Sequence, residues 1–346
     1  MSVFLFLVAI APTHAFLDEW EESWEDVNNG FWIFGDVSNK EKSVVNDYLK
    51  ITRSLSPVFQ LVLESTLMRM ELKQPNGFSM GPSFLKIGDF NDIFVGPFLS
   101  YDRPDNGRWY LYSFIDNMIE DDTDIQSWFL RGIQPLGARG RFVLESFQKE
   151  QEKNYSLPYL LSSYREEGMV EQLIFRLYYQ LDGRHRVVLR TMKERSSTSA
   201  LWVDEPDRNQ IDHVRNWMFE PSVIRKISRF SSLKFTYKDT LDRKITNRPG
   251  GATQVPAQFR IDHRTKRYLL EFEHVRTPSL IFTGGIGVEV KHDLYRSLNA
   301  ADRHLSNRVG VTVFGCEIVF LDQTKIRLTA TSDADQRIDI DVMTLF

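Results

Sequence analysis

The sequence predicts an all-β protein, and three observations support that prediction. Apolar and polar residues alternate along many short segments, as they do when the side chains of a strand point to its two faces in turn. Turn signals separate these segments, for example Pro75-Asn76-Gly77 and Asp182-Gly183. Aromatic residues, which suit strands, are abundant, with 25 Phe, 12 Tyr and 7 Trp.

The composition narrows the class of protein. The 346 residues are 42% hydrophobic and 26% charged, with a net charge of −4. This balance excludes a disordered chain. It also lacks the basic excess that marks a nucleic-acid-binding protein, so no nucleic-acid partner is expected. The single cysteine, Cys316, permits no intrachain disulfide.

Residues 1–15 predict a cleavable signal peptide. An apolar run ends at Pro12, and Thr13 and Ala15 are small enough for signal peptidase to cut before Phe16. An uncleaved anchor is the alternative, but the run is too short to span a bilayer as a helix. No later segment reaches about 18 consecutive apolar residues. We therefore expect an exported protein that crosses a membrane, if it does, as strands.

Residues 16–56 predict a small N-terminal region of helix and turn. Trp20 and Trp24 are one helical turn apart, and Asn39 is a suitable cap for a helix over residues 39–55. In that second helix the apolar positions recur at three- and four-residue steps, at Val44, Val45, Tyr48, Leu49 and Thr52.

Residues 57–346 carry the strand signals. Leu173, Phe175 and Leu177 share one face of a segment whose other face carries Arg176 and Gln180. Similar alternation recurs from Trp109 to the end of the chain. Loops are expected at the polar stretches 116–124, 148–157, 194–232 and 292–306, the third with a short helix around Ile211, Val214, Trp217 and Met218.

The last ten residues carry a resemblance to a known class. Ile338, Ile340, Val342, Thr344 and Phe346 share one face of a strand, with Asp339, Asp341 and Met343 on the other. This strand resembles the closing strand of Gram-negative outer-membrane β-barrels. The resemblance implies a bacterial outer-membrane location, contact with outer-membrane lipid, and delivery by the barrel-assembly machinery through the strand that ends at Phe346.

Alternation alone fits two architectures. A soluble sandwich turns its apolar face inward, whereas a membrane barrel turns it toward lipid. The export signal, strands of about ten residues with short turns, and the terminal aromatic favour a closed antiparallel transmembrane β-barrel of about 12 strands. Residues 16–56 would then be periplasmic or plug the barrel. Lumen-facing charges of both signs predict no strong ion selectivity.

A short string suggests an enzyme as an alternative. His304-Leu305-Ser306-Asn307 resembles the His-x-Ser-Asn of outer-membrane phospholipase A and lipid A deacylases, with Arg303 in place of the phospholipase's Asn. The resemblance implies that His304 is the general base and Ser306 the nucleophile, which share a strand face. Glu317 is the candidate that orients the imidazole.

Three hypotheses about function therefore stay open. The first is an outer-membrane β-barrel with a non-catalytic role in transport, export or surface assembly. The second is a barrel-borne lipid or lipopolysaccharide acyl hydrolase that uses His304 and Ser306. The third is a soluble exported β-sandwich that binds a ligand. The histidines form no metal-binding motif, so neither a metal nor a cofactor is expected. Outward-facing Leu233, Phe235, Leu270, Phe272, Ile338 and Val342 would favour the barrel.

Overall fold

Antiparallel strands make up almost all of the part of the chain that the computed structural model describes. It describes residues 30–38, 44–64, 67–86, 93–103, 107–117, 123–157, 162–202, 209–248, 257–277, 279–297, 300–320, 324–332 and 337–345. The predicted signal peptide, residues 16–29 and Phe346 lie outside these ranges. A single turn of 3-10 helix, Gly137–Arg139, interrupts the strands of the described chain. None of the helical structure in these ranges is long and apolar enough to cross a membrane.

The described residues form nineteen strands in one sheet. They are β1 (Gly30–Ser38), β2 (Val44–Ser54), β3 (Phe59–Glu64), β4 (Leu67–Lys73), β5 (Phe78–Lys86), β6 (Ile93–Asp102), β7 (Arg108–Phe114), β8 (Asp116–Asn117), β9 (Thr123–Pro135), β10 (Gly140–Leu157), β11 (Ser162–Gln180), β12 (His185–Trp202), β13 (Gln210–Lys226), β14 (Ser231–Arg248), β15 (Ala257–Thr277), β16 (Leu280–Ser297), β17 (Ala300–Phe320), β18 (Thr324–Ser332) and β19 (Arg337–Leu345).

The first and last described strands pair with each other. Consecutive strands pair in antiparallel fashion, and β1 pairs with β2 on one edge and with β19 on the other. Gly30 lies opposite Leu345, and Ser38 lies opposite Arg337. We call the end of the sheet at Gly30 and Leu345 the proximal end, and the opposite end the distal end.

Two of the nineteen strands are pieces of one. β7 and β8 both pair with β6 and run in the same direction, separated by Ile115. Counted as one interrupted strand, they leave eighteen strands in the described sheet. The expected number of about 12 strands is wrong. Short strands such as β3 and β4, and two strands before residue 57, account for the difference.

The expected helix over residues 39–55 is also wrong, and with it the helical character of the 16–56 region where that region is described. Residues 30–38 and 44–54 form β1 and β2. β2 pairs along both edges, with β1 and β3. Its β-branched Val44, Val45 and Ile51 suit a strand, and pairing on two edges outweighs a weak helical spacing.

Three of the stretches expected to be loops are strands. Residues 148–157 end β10, residues 194–202 and 210–226 belong to β12 and β13, and residues 292–297 and 300–306 belong to β16 and β17. The short helix expected around Trp217 is therefore strand as well. Within these stretches, residues 148–154 and 194–199 are polar on both faces, which hides a strand from a search for alternation.

The strands differ in length, and the difference has a consequence for the distal end. β10 to β17 have 17 to 21 residues, whereas β18 and β19 have 9 each. β17 pairs with β18 only from Thr312 to Phe320, although it pairs with β16 as far as Ala300. The long strands therefore extend distally beyond their shorter neighbours.

The predicted tight turns are confirmed at the proximal end. Asp182 and Gly183 lie between β11 and β12, and Asp182 Oδ1 accepts hydrogen bonds from the backbone N–H groups of Arg184 and His185, at 2.7 and 2.8 Å. Gly77 follows Asn76 between β4 and β5 with a φ of +86°, a conformation that favours glycine.

The Gly-rich stretch Gly284–Gly287 on β16 includes one position of close backbone approach. A Cβ on Gly287 would lie 2.2 Å from the carbonyl oxygen of Tyr268 on β15. Glycine at this position therefore permits the β15–β16 pairing.

Candidate functional site

Side chains alternate between two faces of the sheet. We call the face with buried side chains the inner face and the face with exposed side chains the outer face. On β6, Phe94 and Phe98 are buried, whereas Pro97 and Leu99 are exposed. Three clusters of apolar side chains form the core of the inner face, centred on Tyr112, Tyr178 and Val311.

The outer face is apolar toward the proximal end. Phe235, Leu270, Phe272 and Ile338 are exposed, with Phe235 at 47% and Phe272 at 44%, and Leu233 and Val342 are half-buried. Apolar side chains on the other strands continue this outer band, among them Leu99, Leu111, Trp128, Leu173, Trp217, Val223, Phe282, Ile286, Phe314, Phe320, Leu328 and Ile340. The prediction that apolar side chains face outward is confirmed at the exposed positions.

The outer face becomes charged further along the same strands. On β12 the outer position Leu189 is followed distally by Lys193 and Arg195. On β15 the outer positions Leu270 and Tyr268 are followed distally by Lys266 and Arg264. The outer band therefore has a distal border, and the rings of Tyr237 and Tyr268 pack at this border with centroids 5.1 Å apart.

The inner face carries charges that are buried and paired. Glu220 is 4% exposed and lies between Arg190 and Lys238, with distances of 3.4 Å from Oε1 to Arg190 Nη1 and from Oε2 to Lys238 Nζ. Glu289 accepts a hydrogen bond from Arg267 Nε at 2.7 Å. Because Arg190 lies opposite Glu220 and Arg267 lies opposite Glu289, these groups form one row across β12 to β16.

Other inner ion pairs extend this pattern around the sheet. Arg69 pairs with Glu71 at 2.6 Å, and Arg327 pairs with Glu317 at 2.8 Å. Lys234, which is buried, lies directly opposite Glu271, which is 1% exposed. Buried charges are stabilised only when they are paired and hydrogen-bonded. Both signs of charge recur along the inner face of the described strands.

A second polar row lies distal to the first. Glu194 accepts hydrogen bonds from Gln172 Nε2 and Asn216 Nδ2, both at 3.1 Å. In the next strands Asp242 lies opposite both Asn216 and His263, and His263 Nδ1 is 2.8 Å from Asp293 Oδ1. Opposite residues of adjacent strands are within contact distance, so this row links β11 to β16 through side chains.

The structure separates Glu317 from the other two residues predicted for a hydrolase. His304 and Ser306 are both exposed on β17, on the same face, opposite Leu294 and His292. Glu317 lies on the same strand thirteen residues away, which corresponds to about 43 Å. An odd separation also places Glu317 on the other face, where its carboxylate binds Arg327. The expected role of Glu317 in orienting His304 is therefore wrong.

The two aspartates of the terminal strand, Asp339 and Asp341, both lie in the β18–β19 pairing. Asp339 lies on the inner face and is buried, and Asp341 lies opposite Arg327 in the β18–β19 pairing. Within the described ranges, no group of three or more His, Cys, Asp or Glu side chains is placed to hold a metal ion.

Sequence reasoning missed a cluster of Arg and Asp residues on the outer face of β14 and β15. Asp262 accepts two hydrogen bonds from each of Arg243 and Arg260, at distances of 2.6 to 3.0 Å. Arg264 donates two to Asp239, at 3.0 and 2.7 Å. The available signal was the Arg260-Ile261-Asp262-His263-Arg264 string, in which every second residue is charged.

Comparison with known proteins gives structural likenesses alone. No protein-family model matches the chain, and no curated protein matches it. Among solved structures, it is similar to the translocator domain of the autotransporter NalP from Neisseria meningitidis, with 8% identity, a TM-score of 0.37, and coverage of 95% of this chain and 93% of that one.

Two further likenesses are to outer-membrane proteins. OmpT of Vibrio cholerae has 7% identity and a TM-score of 0.42, with coverage of 91% and 96% of the two chains. The outer-membrane channel DcaP of Acinetobacter baumannii has 11% identity and a TM-score of 0.37, with coverage of 92% and 96%. The resemblance to Gram-negative outer-membrane β-barrels thus recurs among solved structures.

Proposed function

We propose that this chain is an integral outer-membrane β-barrel, closed by the pairing of β1 with β19, with a non-catalytic role in transport, export or surface assembly. One observation carries the proposal: apolar side chains occupy the exposed outer face, while paired charges occupy the buried inner face. A closed barrel leaves no strand edge without a partner, which a sheet in hydrocarbon requires.

The free energy of hydration argues against a soluble sandwich. Each large apolar side chain such as Phe235 or Leu270 forgoes about 1.5–3 kcal/mol if it stays in water rather than being buried. More than a dozen such side chains occupy the outer band. A continuous apolar surface of this kind on a folded protein marks contact with a partner or a membrane. Lipid around the whole ring covers every strand of the band at once.

The inner face fits a polar interior. Rows of ion pairs such as Arg190–Glu220 and Arg267–Glu289 hold charged side chains in fixed positions across β12 to β16. Since both signs alternate along these rows, the interior suits polar solutes or a polar segment of a secreted chain without a strong preference for either sign of charge. Passage of such a cargo is the role that the inner face supports best.

The location is tested by fractionating bacteria that express the full chain. We expect the protein in the outer-membrane fraction, with electrophoretic migration that changes on heating, because a barrel closed by pairing on all edges resists detergent until it is heated. Release of the protein by osmotic shock as a soluble species would overturn the proposal.

The role in passage needs a separate measurement. The purified protein is reconstituted in vesicles, and the entry of neutral, cationic and anionic sugars of similar size is followed by vesicle swelling. Similar rates for the three solutes would support passage through the mixed-sign interior. Absence of swelling in vesicles that contain the folded protein would exclude an open pore and favour surface assembly.

A further inference from the structure

A band of basic side chains borders the apolar outer face on its distal side. The basic belt, as we call it, consists of Lys193, Arg195, Arg215, Arg243, Arg260, Arg264 and Lys266. These residues alternate in phase with exposed members of the outer band, such as Trp217 on β13 and Phe235 on β14. The belt therefore projects outward from β12 to β15, on the face opposite the inner ion pairs.

Two carboxylates hold three guanidinium groups of the belt in place. The side chains of Asp262 and Asp239 are only 11% and 5% exposed, whereas those of Arg243 and Arg264 are 26% and 45% exposed. The carboxylates thus lie beneath the guanidinium groups. A guanidinium has five N–H donors, and each of these arginines uses two of them on its carboxylate. Further donors remain for a ligand on the exposed side.

The position of the basic belt along the strands is fixed relative to Tyr237 and Tyr268 at the distal border of the outer band. Tyr237 donates a hydrogen bond from its hydroxyl to Asp239 Oδ2 at 3.1 Å, and Asp239 in turn accepts from Arg264. Two residues along a strand correspond to about 7 Å, so Asp239 lies about that far distal to Tyr237. Tyrosine is enriched where hydrocarbon meets the headgroup layer. The guanidinium groups are therefore at headgroup depth when Tyr237 and Tyr268 are at the interface.

We propose that the basic belt binds the phosphate groups of lipids in the membrane leaflet that surrounds the distal border of the barrel. The inference rests on the proposed membrane location and adds a lipid class to it. Arginine matches phosphate geometry with paired N–H donors. The belt has seven basic side chains and two carboxylates, so its net charge is positive and it attracts anions. On β11 the outer positions distal to Leu173 are Glu171, Met169, Glu167 and Arg165, and Arg165 is paired with Glu152 and Glu167. The phosphate-binding surface is therefore confined to β12–β15.

The test compares two neighbouring residues that point to opposite faces. Arg243 belongs to the belt, whereas Lys244 projects from the inner face and pairs with Asp212 at 3.0 Å. Wild type, Arg243→Gln, Lys244→Gln and Arg243→Gln/Arg264→Gln are refolded into phosphatidylcholine vesicles with and without phosphatidic acid. Brominated acyl chains on one lipid or the other quench tryptophan fluorescence, and the ratio of quenching gives the preference for the anionic lipid.

We expect a preference for phosphatidic acid in wild type and in Lys244→Gln, reduced about fivefold in Arg243→Gln and further in the double variant. The preference should also weaken as salt is added. Equal preference in all four proteins, or none in wild type, would overturn the inference. Loss of the preference in excess inorganic phosphate would assign the belt to a soluble anion instead.

The same measurement separates this inference from the proposed function. Quenching by brominated phosphatidylcholine alone reports contact of the outer band with lipid, whatever the headgroup. If wild type shows that quenching but no anionic preference, the lipid inference fails and the membrane location stands. If wild type shows no quenching by either lipid, both fail. A belt variant that does not insert is recognised by the same loss of quenching in neutral vesicles.

Discussion

Arg267 donates a hydrogen bond from Nε to Oε2 of Glu289 at 2.7 Å, across the β15–β16 pairing on the buried inner face. Glu289 is 2% exposed. Removing one member of a buried ion pair leaves its partner's charge with less compensation. We expect Glu289→Ala to lower the free energy of unfolding in vesicles by about 3 kcal/mol, as measured by denaturant titration of the reconstituted protein.

The matched control for this pair is an exposed one. Asp302 accepts a hydrogen bond from Arg296 at 2.8 Å, but both side chains are more than 40% exposed. Exposed pairs contribute about 0–1 kcal/mol, so Asp302→Ala should change stability little. A loss in Glu289→Ala no larger than that in Asp302→Ala would contradict the expected effect of burial on the Arg267–Glu289 pair.

If the outer band faces lipid, the energetic cost of a lysine substitution depends on its position along β14. Phe235 lies within the outer band, and Ile245 lies on the same face near the distal end. A lysine at mid-bilayer depth costs about 2–4 kcal/mol, and one near the interface about 0–1 kcal/mol. We expect Phe235→Lys to lower stability more than Ile245→Lys does, by about the difference between these two costs. Vesicle refolding titrations of both variants measure it. Equal effects of the two substitutions would be inconsistent with hydrocarbon around the band.

The positions of His304 and Glu317 argue against the hydrolase hypothesis. Since Glu317 lies about 43 Å along the strand from His304, nothing among the predicted residues orients the imidazole. We expect purified wild-type protein, His304→Ala and Ser306→Ala to leave phospholipid and lipid A intact alike in product analysis by mass spectrometry. Acyl-chain release by wild type that disappears in both variants would restore the enzymatic interpretation.

The tight approach at Gly287 predicts a position-specific effect of one methyl group. A Cβ there meets the Tyr268 carbonyl oxygen at 2.2 Å, whereas a Cβ on Gly310 meets nothing within 4 Å. Because the obstacle is backbone, the β15–β16 pairing must shift, and overpacking of this kind costs about 1–3 kcal/mol. We expect Gly287→Ala to lower the temperature at which heated gel migration changes, and Gly310→Ala to leave it unaltered.

The turn at Asp182 predicts an acid-sensitive element at the proximal end of the sheet. The backbone N–H of Arg184, with further hydrogen bonds from His185, lowers the pKa of Asp182 to about 2. A carboxyl with a depressed pKa stabilises the folded turn above its unfolded pKa of about 3.9 and loses that contribution as the pH falls toward 2.

Hydrogen exchange at the amides of Arg184 and His185 measures this effect. We expect wild type to show more protection than Asp182→Ala above about pH 4, with the difference shrinking as the pH approaches 2. A difference that stays constant over this range would show that the carboxylate's charge plays no part in holding the turn.

The sequence by itself determined the elements with one-sided alternation. Leu173 to Leu181, the Asp182-Gly183 turn and the segment around Phe235 were predictable, because a strand with one apolar face imposes a period of two on its own residues. The terminal strand indicated the class of protein for the same reason. Where both faces are polar, as at residues 148–154 and 194–199, no period marks the strand. Where β-branched residues happen to fall at helical steps, as at Val44 and Val45, the period misleads.

Only the tertiary structure decided which face is inner, how many strands pair, and which charges meet. Alternation is the same whether apolar side chains point inward or outward, so the exposure of Phe235 and Leu270 is known from the tertiary structure alone. The partners of Glu220, Glu289 and Asp262 lie on other strands, and their contacts depend on register, which local sequence does not specify. The same dependence separates Glu317 from His304 and joins it to Arg327.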